Sequence, residues 1–328
     1  MKLSLVTTTI NPNAQFLTDN VELFKSAGQK SYIILDRKNA SISDDCYINL
    51  RDMPLNEFEQ LVPFDNYARK NIGFVRAFQN NENVFETDDD NLITLPISHM
   101  LKILSQKKSK CYTSVSANLF ASFYRPNDTT FWARGLPLKY RNANPAWREN
   151  GDAQVGVTQF LVSGSPDLDA IYRLVIEDDS HFLVNNDELP RSIKDTYHPF
   201  NSQGTLWRKE FLPLAYLPSY CEFRMTDIWR GYVAQHILYS HGYSLNFEKE
   251  GLRQVRNEHD IAIDFVGEHQ GYVISEKVIS EIKATQKDSF EVMLMTIYEK
   301  LIRVGAIYDK RELVLLQSYL ECMNANDK

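Results

Sequence analysis

Leu3-Ser4-Leu5-Val6-Thr7-Thr8-Thr9-Ile10 opens the chain as an apolar, β-branched run, and Asn11-Pro12-Asn13 follows it with turn chemistry. The pair reads as a strand and the loop that leaves it. Val21-Glu22-Leu23-Phe24 then suits a helix stopped by Gly28, and Tyr32-Ile33-Ile34-Leu35-Asp36 is a second buried strand. Strand, helix, strand is the start of a doubly wound sheet, so the expected class is α/β.

Further on, Phe64-Asp65-Asn66 looks like a helix start, followed by Ala68, Ile72, Val75 and Phe78 at near-helical spacing and by the short strand Asn83-Val84-Phe85-Glu86. The acidic residues after that strand fall at its carboxyl end, the edge where open α/β sheets bind ligands. From about Ser109 to Asn150 the chain is rich in aromatics, Pro, Asn and Arg and has little periodicity, which suits a segment lining a site or covering a sheet. Gly164-Ser165-Pro166-Asp167 is a turn into Ile171-Tyr172-Arg173-Leu174-Val175. Thr226-Asp227 begins a helix through Ile228, Trp229, Val233, Ile237 and Leu238, ended by His241-Gly242. After about Gly271 the pattern is helical to Met323. These signals divide the chain into a main domain over 1–270, with halves 1–108 and 109–270, and a helical appendage over 271–328.

The chain has 328 residues and a formal net charge of -7, which argues against nucleic acid as its main partner because phosphate binding needs a basic face. The apolar run near Met1 is too short for a secretion signal, and none approaches the roughly 18 residues of a membrane helix. A cytoplasmic protein is expected, with peripheral membrane association still open. Cys46, Cys111, Cys221 and Cys322 show no CxxC spacing and read as reduced thiols.

Glu86, Asp88, Asp89 and Asp90 crowd carboxylates directly after an apolar strand. Two of them about 6 Å apart repel by roughly 3 kcal/mol at an effective dielectric near 20. A bound cation removes that cost, and hard carboxylate oxygens suit Mg²⁺ or Mn²⁺ held jointly with substrate phosphates. The plainer reading is an acidic loop facing water. Arg69 and Lys70, in the first turns of the preceding helix, sit where the macrodipole disfavours positive charge. A nucleotide phosphate would offset this, and so would the acidic cluster as an ion-pair partner. Gly73 inside that helix suggests a close approach of backbone or ligand.

The order Thr7-Thr8-Thr9, Asp36 after a second strand, Arg69-Lys70-Asn71-Ile72-Gly73, then a strand ending in Thr87-Asp88-Asp89-Asp90-Asn91 is similar to the nucleotide-binding half of GT-A glycosyltransferases. Four further motifs narrow it: Arg134-Gly135-Leu136-Pro137-Leu138, Gly164 to Arg173, Asn201-Ser202-Gln203-Gly204-Thr205-Leu206-Trp207, and Asp227-Ile228-Trp229-Arg230-Gly231-Tyr232-Val233-Ala234-Gln235. Together they resemble the STELLO glycosyltransferase family over roughly 65–242. The resemblance implies a GT-A fold, a Rossmann-like mixed sheet flanked by helices, with residues 1–108 as the nucleotide-binding half and 109–270 carrying the acceptor and catalytic groups. It also implies a nucleotide-sugar donor, for which UDP is the first guess, a glycan acceptor and Mn²⁺ or Mg²⁺. Eukaryotic members are anchored in the Golgi membrane, whereas no anchor is expected from this sequence, so their location and partners do not carry over. Surface polysaccharide or glycoconjugate synthesis is the expected setting.

Transfer with inversion needs a base for the attacking hydroxyl, and Asp227 is the candidate, lying where inverting GT-A enzymes carry a catalytic carboxylate and where a helix start favours negative charge. The plainer reading, a cap, is countered by Thr226, which is itself an adequate cap. Arg230 is expected to contact a phosphate or an acidic acceptor, or to form a structural ion pair. Trp229 is either a sugar platform or a core aromatic. Thr7, Thr9 and Asp36 are expected near the nucleoside, with Arg69, Lys70, Asn71, Asp88 and Asp89 around its phosphates. Arg134, Asp167, Asn201, Gln203 and Thr205 are assigned to the sugar or acceptor pocket. The metal is assigned to Asp88 and Asp90, with His259 as a further ligand.

Three other readings compete. A sugar nucleotidyltransferase shares the strand-end carboxylates but usually has a Gly-rich phosphate loop followed by Lys after its first strand, which is missing here. A non-enzymatic module would use the acidic loop for Ca²⁺ and its aromatics for a glycan. A haloacid-type phosphatase needs a nucleophilic Asp two residues before a second Asp and a small turn residue, a pattern that Asp88-Asp89-Asp90-Asn91 meets only partly.

Overall fold

A computed structural model describes residues 1–36, 42, 44–49, 54–115, 132–141, 146–175, 192–254 and 260–324. The chain begins as expected with β1 (Leu3–Thr9), α1 (Gln15–Ser26) and β2 (Lys30–Leu35), and Gly28 makes the exit turn with φ +67°. A two-residue strand β3 (Tyr47–Ile48) and a short helix α2 (Glu57–Leu61) follow. A single 3₁₀ turn, capped by the Asn66 side chain, then leads into α3 (Lys70–Gln79) and β4 (Asn83–Thr87).

β5 (Asn91–Ile93), α4 (Ile97–Ser105) and β6 (Lys108–Ser114) precede the longest strand, β7 (Trp147–Gly164), of 18 residues. The chain continues through α5 (Ala170–Val175), β8 (Ser192–Ile193), β9 (Gly204–Trp207), α6 (Thr226–Ser240) and β10 (Tyr243–Gln254). It ends in α7 (Ile261–Lys283), α8 (Phe290–Val304) and α9 (Arg311–Asn324).

All strands join one mixed sheet in the order β3-β2-β1-β4-β9-β7-β6-β8-β10-β5, with β7 also paired to β10. Its β3-β2-β1-β4 end is parallel, and β9 turns the direction by pairing antiparallel with both β4 and β7. Strand alternation sorts side chains onto two faces. Leu3, Leu5, Ile33, Leu35 and Phe85 pack with α1 and α4, whereas Val6, Ile34 and Val84 pack with α3, α6 and the C-terminal helices. The result is a three-layer α/β fold whose mixed sheet has a Rossmann-like parallel half, the α/β class read from the sequence.

Two expectations change. The helical C-terminal region starts at Ile261, so a boundary at 270/271 would cut through α7. Ile282, Met293, Ile297, Leu301, Leu316 and Tyr319 lie in the same apolar core as Val6 and Val84, and these helices complete one layer of the sheet domain. The aperiodic middle also contains regular structure: β6 and the first part of β7 pair antiparallel across it.

Gly73 is explained by packing. A Cβ at Gly73 would lie 2.5 Å from Val6 Cγ1, so the close approach is that of α3 onto β1.

Candidate active site

The carboxyl ends of β1, β2 and β4 open into a cleft of about 860 Å³. Thr8, Thr9, Ile10, Ala14 and Phe16 form one wall. Asp36, Asp65, Asn66 and Tyr67 form a second, and Arg134, Asp167, Gln203, Phe223, Arg224, Asp227 and Gln254 the far side, with Asp88, Asp89 and Asp90 also lining it. Aspartates therefore greatly outnumber the two arginines around the cleft.

Backbone direction fixes the acidic loop. Glu86, pointing inward from β4, is fully buried and accepts hydrogen bonds from Trp207 Nε1 and Arg230 Nη1, both 2.9 Å. Lys70 Nζ, also fully buried, lies 3.8 Å from Glu86 Oε1 and donates to Asp88 Oδ1 at 2.6 Å. Tyr67 Oη donates to the same oxygen at 2.6 Å. Burial pushes the Asp88 carboxyl above the usual carboxylate range, while the Lys70 charge pulls it back. Asp89 Oδ2 accepts from Thr9 Oγ1, and Asp90 accepts from Asn91 Nδ2 at 2.8 Å and Gln254 Nε2 at 2.7 Å. Gly164, at φ +88°, lets β7 end against Gln254, whose carbonyl oxygen would lie 2.4 Å from a Cβ.

Across the cleft, Arg134 organises two carboxylates. Its Nε donates to Asp167 Oδ1 and Oδ2 at 2.8 and 2.7 Å, and its Nη1 and Nη2 donate to Asp227 Oδ1 and Oδ2 at 2.9 and 2.8 Å. Nη1 also donates to the Arg224 carbonyl. The Ser202 amide adds a third bond to Asp227, at Oδ2, 3.2 Å. A carboxylate offers about four lone-pair sites, so Oδ1, with one donor, keeps an open position. Thr226 does not cap α6; its hydroxyl faces the Glu222 carbonyl and Cys221 Sγ, and the helix has no side-chain cap bond. Asp227 is thus held by Arg134 and Ser202, in no capping role.

Of the residues assigned from sequence, Thr9, Asp36, Asp88, Asp89, Asp90, Arg134, Asp167, Gln203 and Asp227 meet at the cleft. The others are displaced for identifiable reasons. Thr7 is buried, its hydroxyl donating to the Thr87 carbonyl, and Thr8 lines the cleft instead. Arg69 is buried, 3.5 Å from Asp36 and over the Phe64 ring, and Lys70 is buried behind the cleft residues Asp88 and Tyr67, to which it donates. The anions expected beside these cations are the protein's own carboxylates. Asn71 exchanges two 2.8 Å bonds with the Leu217 backbone and braces a loop. Arg230 is buried against Glu86 and Ser202, and Trp229 is a fully buried core residue, so neither faces a substrate. Asn201 and Thr205 stand behind Gln203, Asn201 donating to Asp167 at 3.0 Å and Thr205 to Gln159 at 3.1 Å. His259 lies outside the described residues. Sequence reasoning gave no role to Tyr67, Phe223, Arg224 or Gln254, because only the folded chain brings β10 and the turn before α6 to the acidic loop.

Among the described residues, no group of three or more His, Cys, Asp or Glu side chains is arranged to hold an ion by itself. Mg²⁺ and Mn²⁺ are ordinarily held by one or two carboxylates together with substrate phosphates, and the hard oxygens of Asp88 and Asp90 in an aspartate-rich cleft fit that shared mode.

A family model described as STELLO glycosyltransferases matches residues 224–326. The match begins at the cleft residue Arg224, includes Asp227 and runs through α7, α8 and α9, so the C-terminal helices belong to the matched pattern; it overlaps the span of sequence resemblance only at 224–242. Among proteins with curated descriptions, none matches this chain in sequence. Several solved structures match this chain in shape, and two of them are as follows. One is a mycobacterial protein, 8% identical, TM-score 0.40, with 88% of this chain and 76% of that chain covered. The other is S. aureus TarS 1-349 in complex with UDP-GlcNAc, 11% identical, TM-score 0.34, with 99% and 73% covered. Likeness at this level fixes neither activity nor substrate.

Proposed function

We propose that this chain is a metal-dependent glycosyltransferase that moves a sugar from a nucleotide-sugar donor to a hydroxyl of a glycan acceptor. One observation carries the reading: Asp88 and Asp90, at the carboxyl end of β4, and Asp227, at the start of α6, line the same cleft. Seven aspartates around the cleft repel a diphosphate, and a divalent cation arriving with it would offset that repulsion.

In this scheme Asp88 and Asp90 are the residues that would hold Mn²⁺ or Mg²⁺ together with the donor diphosphate, and the chemistry such an ion would supply is charge stabilisation of the nucleoside diphosphate leaving group. Asp36, beside Thr8 and Thr9, faces the nucleoside. Asp227 Oδ1 takes the proton of the attacking hydroxyl as the new glycosidic bond forms and the sugar–phosphate bond breaks, with inversion at the anomeric carbon. Arg134 keeps the carboxylate aimed while Asp167 shares its guanidinium. Cytoplasmic synthesis of a surface polysaccharide or glycoconjugate, with a UDP-sugar as donor, is the setting we assign.

A thermal-shift series with UDP, GDP and their sugar conjugates, with and without Mn²⁺, tests this directly, since a ligand that binds only the folded protein raises the melting temperature. Stabilisation by a nucleotide sugar that depends on Mn²⁺ is expected. Pyrophosphate release from a nucleoside triphosphate and a sugar phosphate would instead indicate a nucleotidyltransferase. Glycan binding with Ca²⁺ and indifference to nucleotides would indicate a binding module.

A further inference from the structure

Phe223 is 66% exposed yet lines the cleft, an unfavourable place for a phenyl ring unless something covers it. The ring is not loose. It meets Tyr67 edge-on, centroids 5.7 Å apart and planes at 75°, and Tyr67 is itself tied to Asp88 and Lys70. The 3₁₀ turn Phe223–Met225 runs straight into α6, with the Met225 amide bonded to the Glu222 carbonyl at 2.8 Å, so the ring and Asp227 sit on one continuous segment, the ring on the turn and Asp227 in the first turn of the helix. Arg224, next to Phe223 on that turn, is anchored by Glu268 at 2.8 Å and lies 3.6 Å from Asp167.

We propose that Phe223 is the platform on which the acceptor sugar rests, an assignment that deepens the glycosyltransferase reading and rests on it. A pyranose has an apolar C–H face and a polar hydroxyl rim. A fixed phenyl ring matches the face at little entropic cost, because neither ring need be immobilised by binding. The rim then finds polar partners beside the ring in Arg224, Asp167 and Asp227. Geometry favours the acceptor over the donor base. A base catalyst must be within hydrogen-bond reach of the hydroxyl it deprotonates, so the acceptor ring has to lie beside Asp227, and Phe223 stands on the 3₁₀ turn that leads directly into the helix start carrying Asp227.

The test uses the full chain and two variants, Phe223→Ala and Phe223→Trp. Methyl glycosides of the common pyranoses are titrated in the presence of Mn²⁺ and UDP, read by saturation-transfer NMR, and UDP with Mn²⁺ is titrated separately by thermal shift. Phe223→Ala is expected to weaken glycoside binding about tenfold, the effect of removing one well-placed aromatic, while the UDP midpoint moves by less than about twofold. Phe223→Trp should retain glycoside binding and report it by a change in indole fluorescence. Loss of UDP binding in Phe223→Ala would reassign the ring to the donor base, and unchanged glycoside binding in both variants, or none in the wild type, would also overturn the platform. If the wild type binds no nucleotide at all, it is the glycosyltransferase reading that fails.

Discussion

Lys70 Nζ stands 2.6 Å from Asp88 Oδ1, and the ammonium group is wholly enclosed while the carboxylate reaches the cleft. The pair joins the buried layer under the sheet to the surface where a donor is proposed to bind. Removing one partner of a buried ion pair leaves the other without compensation, at a cost of about 3–5 kcal/mol. Lys70→Met is therefore expected to lower the unfolding free energy in urea by roughly 3 kcal/mol, the low end, because Arg230 still faces Glu86. A loss under about 1 kcal/mol would mean that solvent screens the pair.

Arg134 and Asp227 lead to a second expectation. Asp227→Asn keeps the shape and most hydrogen bonds but removes the proposed base, so transfer should fall by about 10²-fold or more with little change in donor binding. Arg134→Lys cannot supply the two-pronged contact and should lower kcat more than it raises the KM for donor. Loss of donor binding in Asp227→Asn would move that carboxylate to the donor site.

Asp169 provides a pH signature. It is buried, its Oδ1 accepts from the Ile171 and Tyr172 amides, and burial followed by the neighbouring Glu268 charge pushes its carboxyl up to about 7 from 3.8. The folded state thus holds a proton that the unfolded state has lost between these values, so this contribution to stability is present below pH 4 and declines as pH rises to 7. Glu312 at the start of α9 is pushed up by burial to about 7 from 4.5 and acts in the same direction. Asp169→Asn mimics the protonated form. Its melting temperature should exceed that of the wild type at pH 8, and the fall between pH 5 and 8 should be shallower; parallel pH profiles would count against the assignment.

Gly73→Ala tests the seam between α3 and β1. Alanine gains about 1 kcal/mol of helix propensity, but its Cβ meets Val6 Cγ1 in a packed core, where overpacking costs about 1–3 kcal/mol. A lower melting temperature is expected, with Val6→Ala in the same chain recovering part of the loss beyond additivity. Stabilisation by Gly73→Ala alone would show that Val6 can turn aside.

The parallel half of the sheet was readable because its signals are local. Leu3 to Leu35 and Asn83 to Glu86 carry their own hydrophobic pattern, and Gly28 and Asn66 mark an end and a beginning. β7 hides in the sequence because its first part, Trp147 to Gln154, is largely exposed and polar, and only its pairing with β6 defines it. Site residues divided in the same way. The strand-end position of Asp88 to Asp90 was visible, whereas which anion Arg230 meets was not, since Glu86 lies 144 residues away in sequence and was counted with the acidic cluster. Trp229 and Thr226 follow the same lesson: a helix buried on all sides gives no periodicity from which to read facing.

The antiparallel join between β4 and β9 pairs Val84 with Trp207 and Phe85 with Leu206. A nascent chain leaving the ribosome must therefore keep the edge of β4 unpaired until residue 207 has emerged. Until then a hydrophobic strand with open amides is exposed to its neighbours, which marks this stage of synthesis as the one where chaperones matter and where N-terminal fragments ending before β9 should aggregate.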